Sequence, residues 1–109
     1  MEFSNLRVYQ PDGTFKTGGL SISGDRIASA EVSADAVDMG GLYAVPGLVD
    51  LHFHGCMGRD FCDGTHESID AITRYEASRG VTAWCGTTMT FPEEKLAGIM
   101  ECAAEHVDA

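Results

Sequence analysis

Hydrophobic and polar residues alternate from Val49 onward in one short segment near the middle of the chain. Residues 48–54 read Leu-Val-Asp-Leu-His-Phe-His, after Pro46-Gly47 and before Gly55. Successive side chains of a strand point to opposite faces. The alternation therefore predicts a β-strand that ends at Gly55, with Val49, Leu51 and Phe53 on an apolar face and Asp50, His52 and His54 on a polar face.

The residues after this strand predict a helix, a second strand and a second helix. The first helix is capped by Thr65 or Asp63 and runs to about Ser78, with apolar residues at helical spacing. Val81 to Phe91 is predicted to be a buried strand. Pro92-Glu93-Glu94 then opens the second helix, with a proline and two acids in its first turn. The order predicts two consecutive βα units.

The first 45 residues have a different pattern. Phe3–Tyr9, Leu20–Ser23 and Arg26–Ala30 show partial alternation, and turn residues such as Pro11-Asp12-Gly13 and Gly24-Asp25 separate them. These features predict β-hairpins in a small sheet with open edges. The fold class is therefore predicted to be α/β, with a sheet domain over residues 1–45 and a second domain over residues 46–109.

His52 and His54 are the candidate metal ligands. Two imidazoles on one face of an extended strand can turn toward the same ion if other elements supply the remaining ligands. An amphipathic edge strand with two solvated histidines would show the same alternation. The glycines that follow His54 end the strand and so place the histidines at its carboxyl end. Polar groups at the carboxyl ends of barrel strands build catalytic sites, which favours the metal site over solvated histidines. Cys56 would continue the same face only if the strand ran past Gly55.

The motif around these histidines carries a family resemblance. The run PGLVDLHFHG resembles the first barrel strand of the amidohydrolase superfamily, and its continuation HGCMGRDFCDGT is similar to that of the N-acetylglucosamine-6-phosphate deacetylases. The later run GVTAWCGTTMTFPEE resembles the second strand of the same branch. Residues 1–45 also look like the small β domain that precedes the barrel in these enzymes.

The resemblance implies a partial β-sandwich over residues 1–45. The first two βα units of an incomplete TIM-type (β/α)8 metallo-hydrolase barrel then follow over residues 46–109. A full barrel takes about 250 residues, so the chain is expected to be the amino-terminal portion of a longer enzyme. That enzyme would hydrolyse the acetamide of N-acetylglucosamine 6-phosphate to glucosamine 6-phosphate and acetate, in amino-sugar catabolism.

The implied cofactor is a divalent metal ion: Zn²⁺, with Fe, Mn or Co as alternatives. His52 and His54 would be ligands in this chain. The other ligands, the catalytic acid–base and the phosphate-binding residues are implied to lie on later strands, so no catalytic or cofactor-binding residue is assigned here. The isolated chain is expected to be inactive. Two other interpretations stay open: another amidohydrolase, such as a cyclic-amide hydrolase or deaminase, and a non-catalytic β-rich interaction or metal-binding module.

The net charge of the chain limits the classes of partner that it is expected to bind. Seventeen acids against seven bases give a net charge of −10, which disfavours nucleic acid or an anionic membrane. The amino terminus lacks a basic region followed by an apolar core, and a cytoplasmic location is predicted. The expected partners are a phosphorylated amino sugar and, because sheet edges are open, further copies of the chain in a homo-oligomer.

The four cysteines show no Cys-x-x-Cys pair and no zinc-finger spacing. They are predicted to be free thiols rather than a disulfide framework. Cys85 and Cys102 are predicted to be small buried apolar residues, and Trp84 is predicted to belong to the core.

Overall fold

The computed structural model describes residues 1–108. The chain divides into two compact units, Met1–Pro46 and a second that begins at Gly47. Strands dominate the first unit, whereas the second contains both strands and helices. The predicted α/β content is confirmed.

The first unit is a five-stranded sheet with the order β3-β2-β1-β4, in which β5 also pairs with β1. The predicted hairpins are present: β1, β2 and β3 pair antiparallel, while β4 and β5 lie parallel to β1. Short two-residue strands such as β4 and β5 have no alternation to detect, so the sequence did not predict them. The strands are β1 (Glu2–Tyr9), β2 (Phe15–Ser23), β3 (Arg26–Ser29), β4 (Val37–Asp38) and β5 (Tyr43–Ala44).

The first unit buries little apolar surface. Leu6 is the one buried hydrophobic side chain described in this sheet. Phe15 makes edge-to-face contacts with Tyr9 and Tyr43, and Arg7 lies over the Tyr43 ring. Backbone pairing and this partly exposed aromatic cluster therefore hold the sheet together.

The second unit is built around two parallel strands. β6 pairs with β9, and α1 makes the crossover between them, which gives a βαβ unit. A short hairpin of β7 and β8 and a 3₁₀ turn at Phe61–Asp63 precede α1. The elements are β6 (Leu48–Phe53), β7 (Gly55–Cys56), β8 (Arg59–Asp60), α1 (His66–Ser78), β9 (Val81–Gly86) and α2 (Glu93–Asp108).

The helices begin close to the predicted positions. Thr65 is the N-cap of α1, because its hydroxyl accepts a hydrogen bond from the Ser68 backbone N–H. Asp63 instead closes the preceding 3₁₀ turn, where its carboxylate accepts from the backbone N–H of Asp60. Neither helix, nor any other within residues 1–108, combines the length and hydropathy needed to cross a membrane.

The core of the second unit lies where the two helices meet the 3₁₀ turn. Phe61, Cys62, Ile69 and Ile99 form its buried cluster. Trp84 packs against this cluster, with its ring edge-to-face with Phe61. The predicted core position of Trp84 is confirmed.

Two predictions for this unit are wrong. The second strand was predicted to be buried and to run to Phe91, but it ends at Gly86 and none of its residues is buried. Phe91 instead packs against the core cluster, outside the strand. Cys85 was predicted to be buried but is exposed. It directly follows Trp84, and neighbouring side chains of a strand point to opposite faces, so the packing of Trp84 turns Cys85 away from the helices.

The apolar side chains of β6 are largely exposed. Leu48, Val49 and Leu51 are 60%, 59% and 74% exposed. Phe53 is half-buried, since its ring contacts Trp84 edge-to-face. β6 therefore presents an apolar surface of a kind that promotes association.

This surface predicts self-association of the chain. Replacing Leu51 with Lys places a charge on the exposed strand, and we expect the fraction of dimer and larger species in light scattering to fall. Leu42→Lys is the matched control, because Leu42 is 59% exposed but lies in the other unit. A monomeric parent chain, or an equal effect of both substitutions, would contradict association through β6.

Candidate metal site

The candidate site lies at the carboxyl ends of β6 and β9. Parallel pairing brings these two ends to the same edge of the sheet, and Phe53 is in register with Gly86. His52 and His54 flank Phe53, while Thr87 directly follows β9. This edge is where α/β proteins commonly place ligand-binding residues.

His52 and His54 converge. Their Nε2 atoms lie 3.2 Å apart, and their rings are inclined at 75° with centroids separated by 5.0 Å. Two imidazole nitrogens bound tetrahedrally to one Zn²⁺ would lie about 3.3 Å apart, because each Zn–N bond is about 2.0–2.1 Å. The separation therefore suits two ligands of one divalent ion, and without an ion it is also the length of an N–H···N hydrogen bond between the two rings.

The backbone on both sides of His54 is held firmly. Its carbonyl accepts a hydrogen bond of 2.7 Å from the Phe61 N–H. A Cβ atom on Gly55 would lie 2.2 Å from the carbonyl oxygen of Arg59, so only glycine allows β8 to approach this closely. Close packing against β8 thus explains why a glycine follows the second histidine. The sequence did not predict the Phe61 contact, because a single 3₁₀ turn has no periodicity to detect.

The Nδ1 atom of His54 is buried and, among the described residues, has no hydrogen-bond partner. A metal-bound histidine normally donates its other ring N–H to a carboxylate or carbonyl, which fixes the tautomer. Asp50 does not contact His54 Nδ1, and its carboxylate instead accepts from the backbone N–H of His52 at 3.0 Å. The described residues thus offer two candidate ligands without the complete surroundings of a metal site.

Other candidate ligands do not join the pair. Among the side chains that the structure describes, those of residues 1–107, no group of three or more His, Cys, Asp or Glu converges on one point. Burial raises the pKa of the Cys56 thiol, and the nearby Glu76 charge raises it further. Because thiolate is the metal-binding form, this shift disfavours Cys56 as a ligand.

The polar residues after His54 have structural partners. Arg59 forms an ion pair with Glu67 on α1. Hydrogen bonds from the Asp60 backbone N–H and the Ser68 hydroxyl lower the pKa of Asp63, which keeps this carboxylate charged as part of the turn. These contacts explain the conformation of the loop without requiring a bound ligand.

A second histidine pair lies on the two helices. His66 and His106 place their Nδ1 atoms 3.4 Å apart. The Nε2 atom of each ring faces a carboxylate on the opposite helix, Glu105 for His66 and Asp70 for His106, at 3.6 and 3.7 Å. Exposure screens these surface contacts, and they connect α1 with α2 rather than extend the first pair.

Together, the βαβ unit and the strand-end histidine pair define an α/β protein with a candidate metal site. No protein-family model matches the chain. The N-acetylglucosamine-6-phosphate deacetylase of Vibrio furnissii is 46% identical over 63 residues, which cover 58% of this chain and 16% of that protein. The mouse (Mus musculus) deacetylase of the same name is 30% identical over 105 residues, which cover 86% of this chain and 25% of that protein.

A solved structure agrees with these relatives. The crystal structure of N-acetylglucosamine-6-phosphate deacetylase from Thermotoga maritima matches 98% of this chain and 28% of its own, with a TM-score of 0.82 and 25% identity. The chain thus spans about a quarter of the length of the mouse and Thermotoga proteins. The resemblance to the N-acetylglucosamine-6-phosphate deacetylases, predicted from the strand motif, is confirmed.

The paired imidazoles predict weak zinc binding that needs both rings. Two neutral imidazoles fill half of a tetrahedral shell, and water must complete it. Calorimetric titration of the chain with Zn²⁺ should show one weak site, and His52→Ala or His54→Ala should abolish its signal.

The second histidine pair supplies the matched control for this titration. His66→Ala removes an imidazole from the helices and should leave the signal of the strand-end site in place. Zinc binding that is lost in His66→Ala and retained in His52→Ala would move the site to the helices.

Proposed function

We propose that this chain forms the amino-terminal part of a metal-dependent amidohydrolase. The whole enzyme hydrolyses the acetamide of N-acetylglucosamine 6-phosphate to glucosamine 6-phosphate and acetate. His52 and His54 hold a divalent metal ion in it, with Zn²⁺ preferred over Fe, Mn or Co. The observation that carries this proposal is the 3.2 Å convergence of the two Nε2 atoms in a chain similar to the named deacetylases.

The metal ion and the residues of this chain supply different parts of the chemistry of amide hydrolysis. A bound divalent ion supplies a water of lowered pKa and polarises a carbonyl oxygen, which together suit amide hydrolysis. His52 and His54 would contribute Nε2 lone pairs to the ion. The contact between the Phe61 N–H and the His54 carbonyl keeps the second imidazole in place. The proton transfer to the leaving amine needs a carboxylate that we assign to no residue of this chain.

The same proposal extends to the architecture. Residues 1–45 form a partial β-sandwich, and residues 46–109 begin a (β/α)8 barrel of which they supply the first two βα units. The parallel β6–β9 pair with its α1 crossover supports this assignment, as does the match to the Thermotoga structure. The exposed Val49 and Leu51 also support it, because barrel strands carry apolar side chains toward surrounding helices.

The proposed partners follow from the substrate and the charge. The substrate is a phosphorylated amino sugar, and the enzyme is a cytoplasmic homo-oligomer. A net charge of −10 supports the absence of nucleic acid and anionic membrane from this set, because both would be repelled.

A chimera tests the proposed function. The segment of the Thermotoga maritima deacetylase that matches this chain is replaced by the chain, and acetate release from N-acetylglucosamine 6-phosphate is measured. We expect the chimera to be active. Changing both His52 and His54 to Ala in it should lower kcat/KM by at least about a hundredfold, since loss of ligands costs more than loss of their supporting contacts.

Two controls sharpen this experiment. His66→Ala in the chimera should leave kcat/KM near its starting value, because His66 lies on α1 outside the strand-end site. The 109-residue chain alone should release no acetate, even with added Zn²⁺. A folded chimera that is inactive, or one that is indifferent to the double histidine change, would refute the proposed role.

A further inference from the structure

The pairing of β6 with β9 is irregular at two places, between Leu48 and Val49 and between Asp50 and Phe53, and the second of these lies at the histidines. β6 advances three residues from Asp50 to Phe53 while β9 advances two from Trp84 to Gly86. One extra residue on a strand is a β-bulge, which bends the strand and re-aims its side chains. His52 lies inside this bulge, and His54 directly follows it.

A bulge interrupts the regular ladder, so its backbone N–H groups need other partners. Two side chains supply them. The Asp50 carboxylate accepts from the His52 N–H at 3.0 Å, and the Thr87 hydroxyl accepts from the Phe53 N–H at 3.2 Å. Two side-chain hydrogen bonds therefore add to the backbone hydrogen bonds that hold the segment carrying the histidines.

Thr87 makes the larger contribution across the two strands. Its hydroxyl proton is directed to the carbonyl of Cys85 at 3.2 Å, which leaves an oxygen lone pair free for the Phe53 N–H. Its own backbone N–H donates to the Phe53 carbonyl at 2.9 Å. Thr87 thus binds both backbone groups of the residue between the two imidazoles.

We propose that Thr87 is a positioning residue for the metal site: its hydroxyl fixes the bulge and thereby sets the convergence of His52 and His54. This inference rests on the proposed function, in which that pair binds the metal. Thr87 acts through the backbone of Phe53 and does not touch the ion. The distinguishing property is the hydroxyl, because a side chain of equal shape without it cannot accept from the Phe53 N–H.

Three variants of the whole chain separate this role from packing. Thr87→Val keeps the branched shape and removes the hydroxyl, whereas Thr87→Ser keeps the hydroxyl. Thr82→Val is the matched control, because it makes the same change at the opposite end of the strand pair, where the Thr82 hydroxyl faces the Leu48 carbonyl. Zinc affinity is measured by calorimetry for each variant.

Two further readouts need no metal. Amide exchange reports the hydrogen bond of the Phe53 N–H, and the nuclear Overhauser effect between the ring protons of His52 and His54 reports their convergence. We expect Thr87→Val to weaken zinc binding by about tenfold, to speed exchange at Phe53 and to reduce the ring–ring effect. Thr87→Ser and Thr82→Val should resemble the parent chain in all three measurements.

The outcomes distinguish this inference from the proposed function. If zinc binding in the parent chain is absent or independent of His52, the metal role fails. The ring–ring effect then still decides whether Thr87 positions the pair. If Thr87→Val leaves that effect and the Phe53 exchange unchanged, or if Thr82→Val and Thr87→Val lower zinc affinity equally, the positioning role is overturned.

Discussion

The parallel pairing of β6 with β9 is the constraint on which the second unit depends. Parallel strands cannot be joined by a tight turn, so the chain between them must cross over, and α1 makes that crossing. The crossing places α1 against the strand pair, and the core forms where α1 and α2 pack beside Phe61 and Trp84. The same pairing brings the ends of both strands to one edge. The histidine pair and Thr87 meet there as a consequence of topology.

The bulge explains why an alternating sequence yields a converging pair. Side chains two residues apart on a regular strand share a face but run roughly parallel to each other. A bulge bends a strand and re-aims its side chains, and the extra residue between Asp50 and Phe53 lies in the segment where the two Nε2 atoms are 3.2 Å apart. Leaving a buried backbone N–H unpaired costs about 1–3 kcal/mol. The hydroxyl of Thr87 removes that penalty at Phe53, which favours the bent strand over other backbone arrangements.

The sequence predicted the parts of the site that have a period. Alternation predicted β6 and the shared face of His52 and His54, and helical spacing with capping residues predicted α1 and α2. Contacts that depend on tertiary packing were not predictable. Cys85 is exposed because Trp84 occupies the helix-facing side of β9, and His66 meets His106 because α1 and α2 pack together. The sequence also could not predict the bulge, because a one-residue offset arises only when two strands pair. The metal role of the histidines and the barrel remain predictions.

The basic side chains bear on how the proposed substrate would be recognised. Five of the seven already face a partner: Arg26 and Arg59 pair with carboxylates, and Arg7, Arg79 and Lys95 lie over aromatic rings. Arg59 is the basic residue that follows β6 most closely in sequence, and it would have to break its ion pair with Glu67 to bind a phosphate. The exposed ion pair is weak enough to exchange, but a net charge of −10 opposes a second anion nearby. Under the proposed function, we therefore expect this chain to supply part of the metal shell and cations outside it to bind the phosphate.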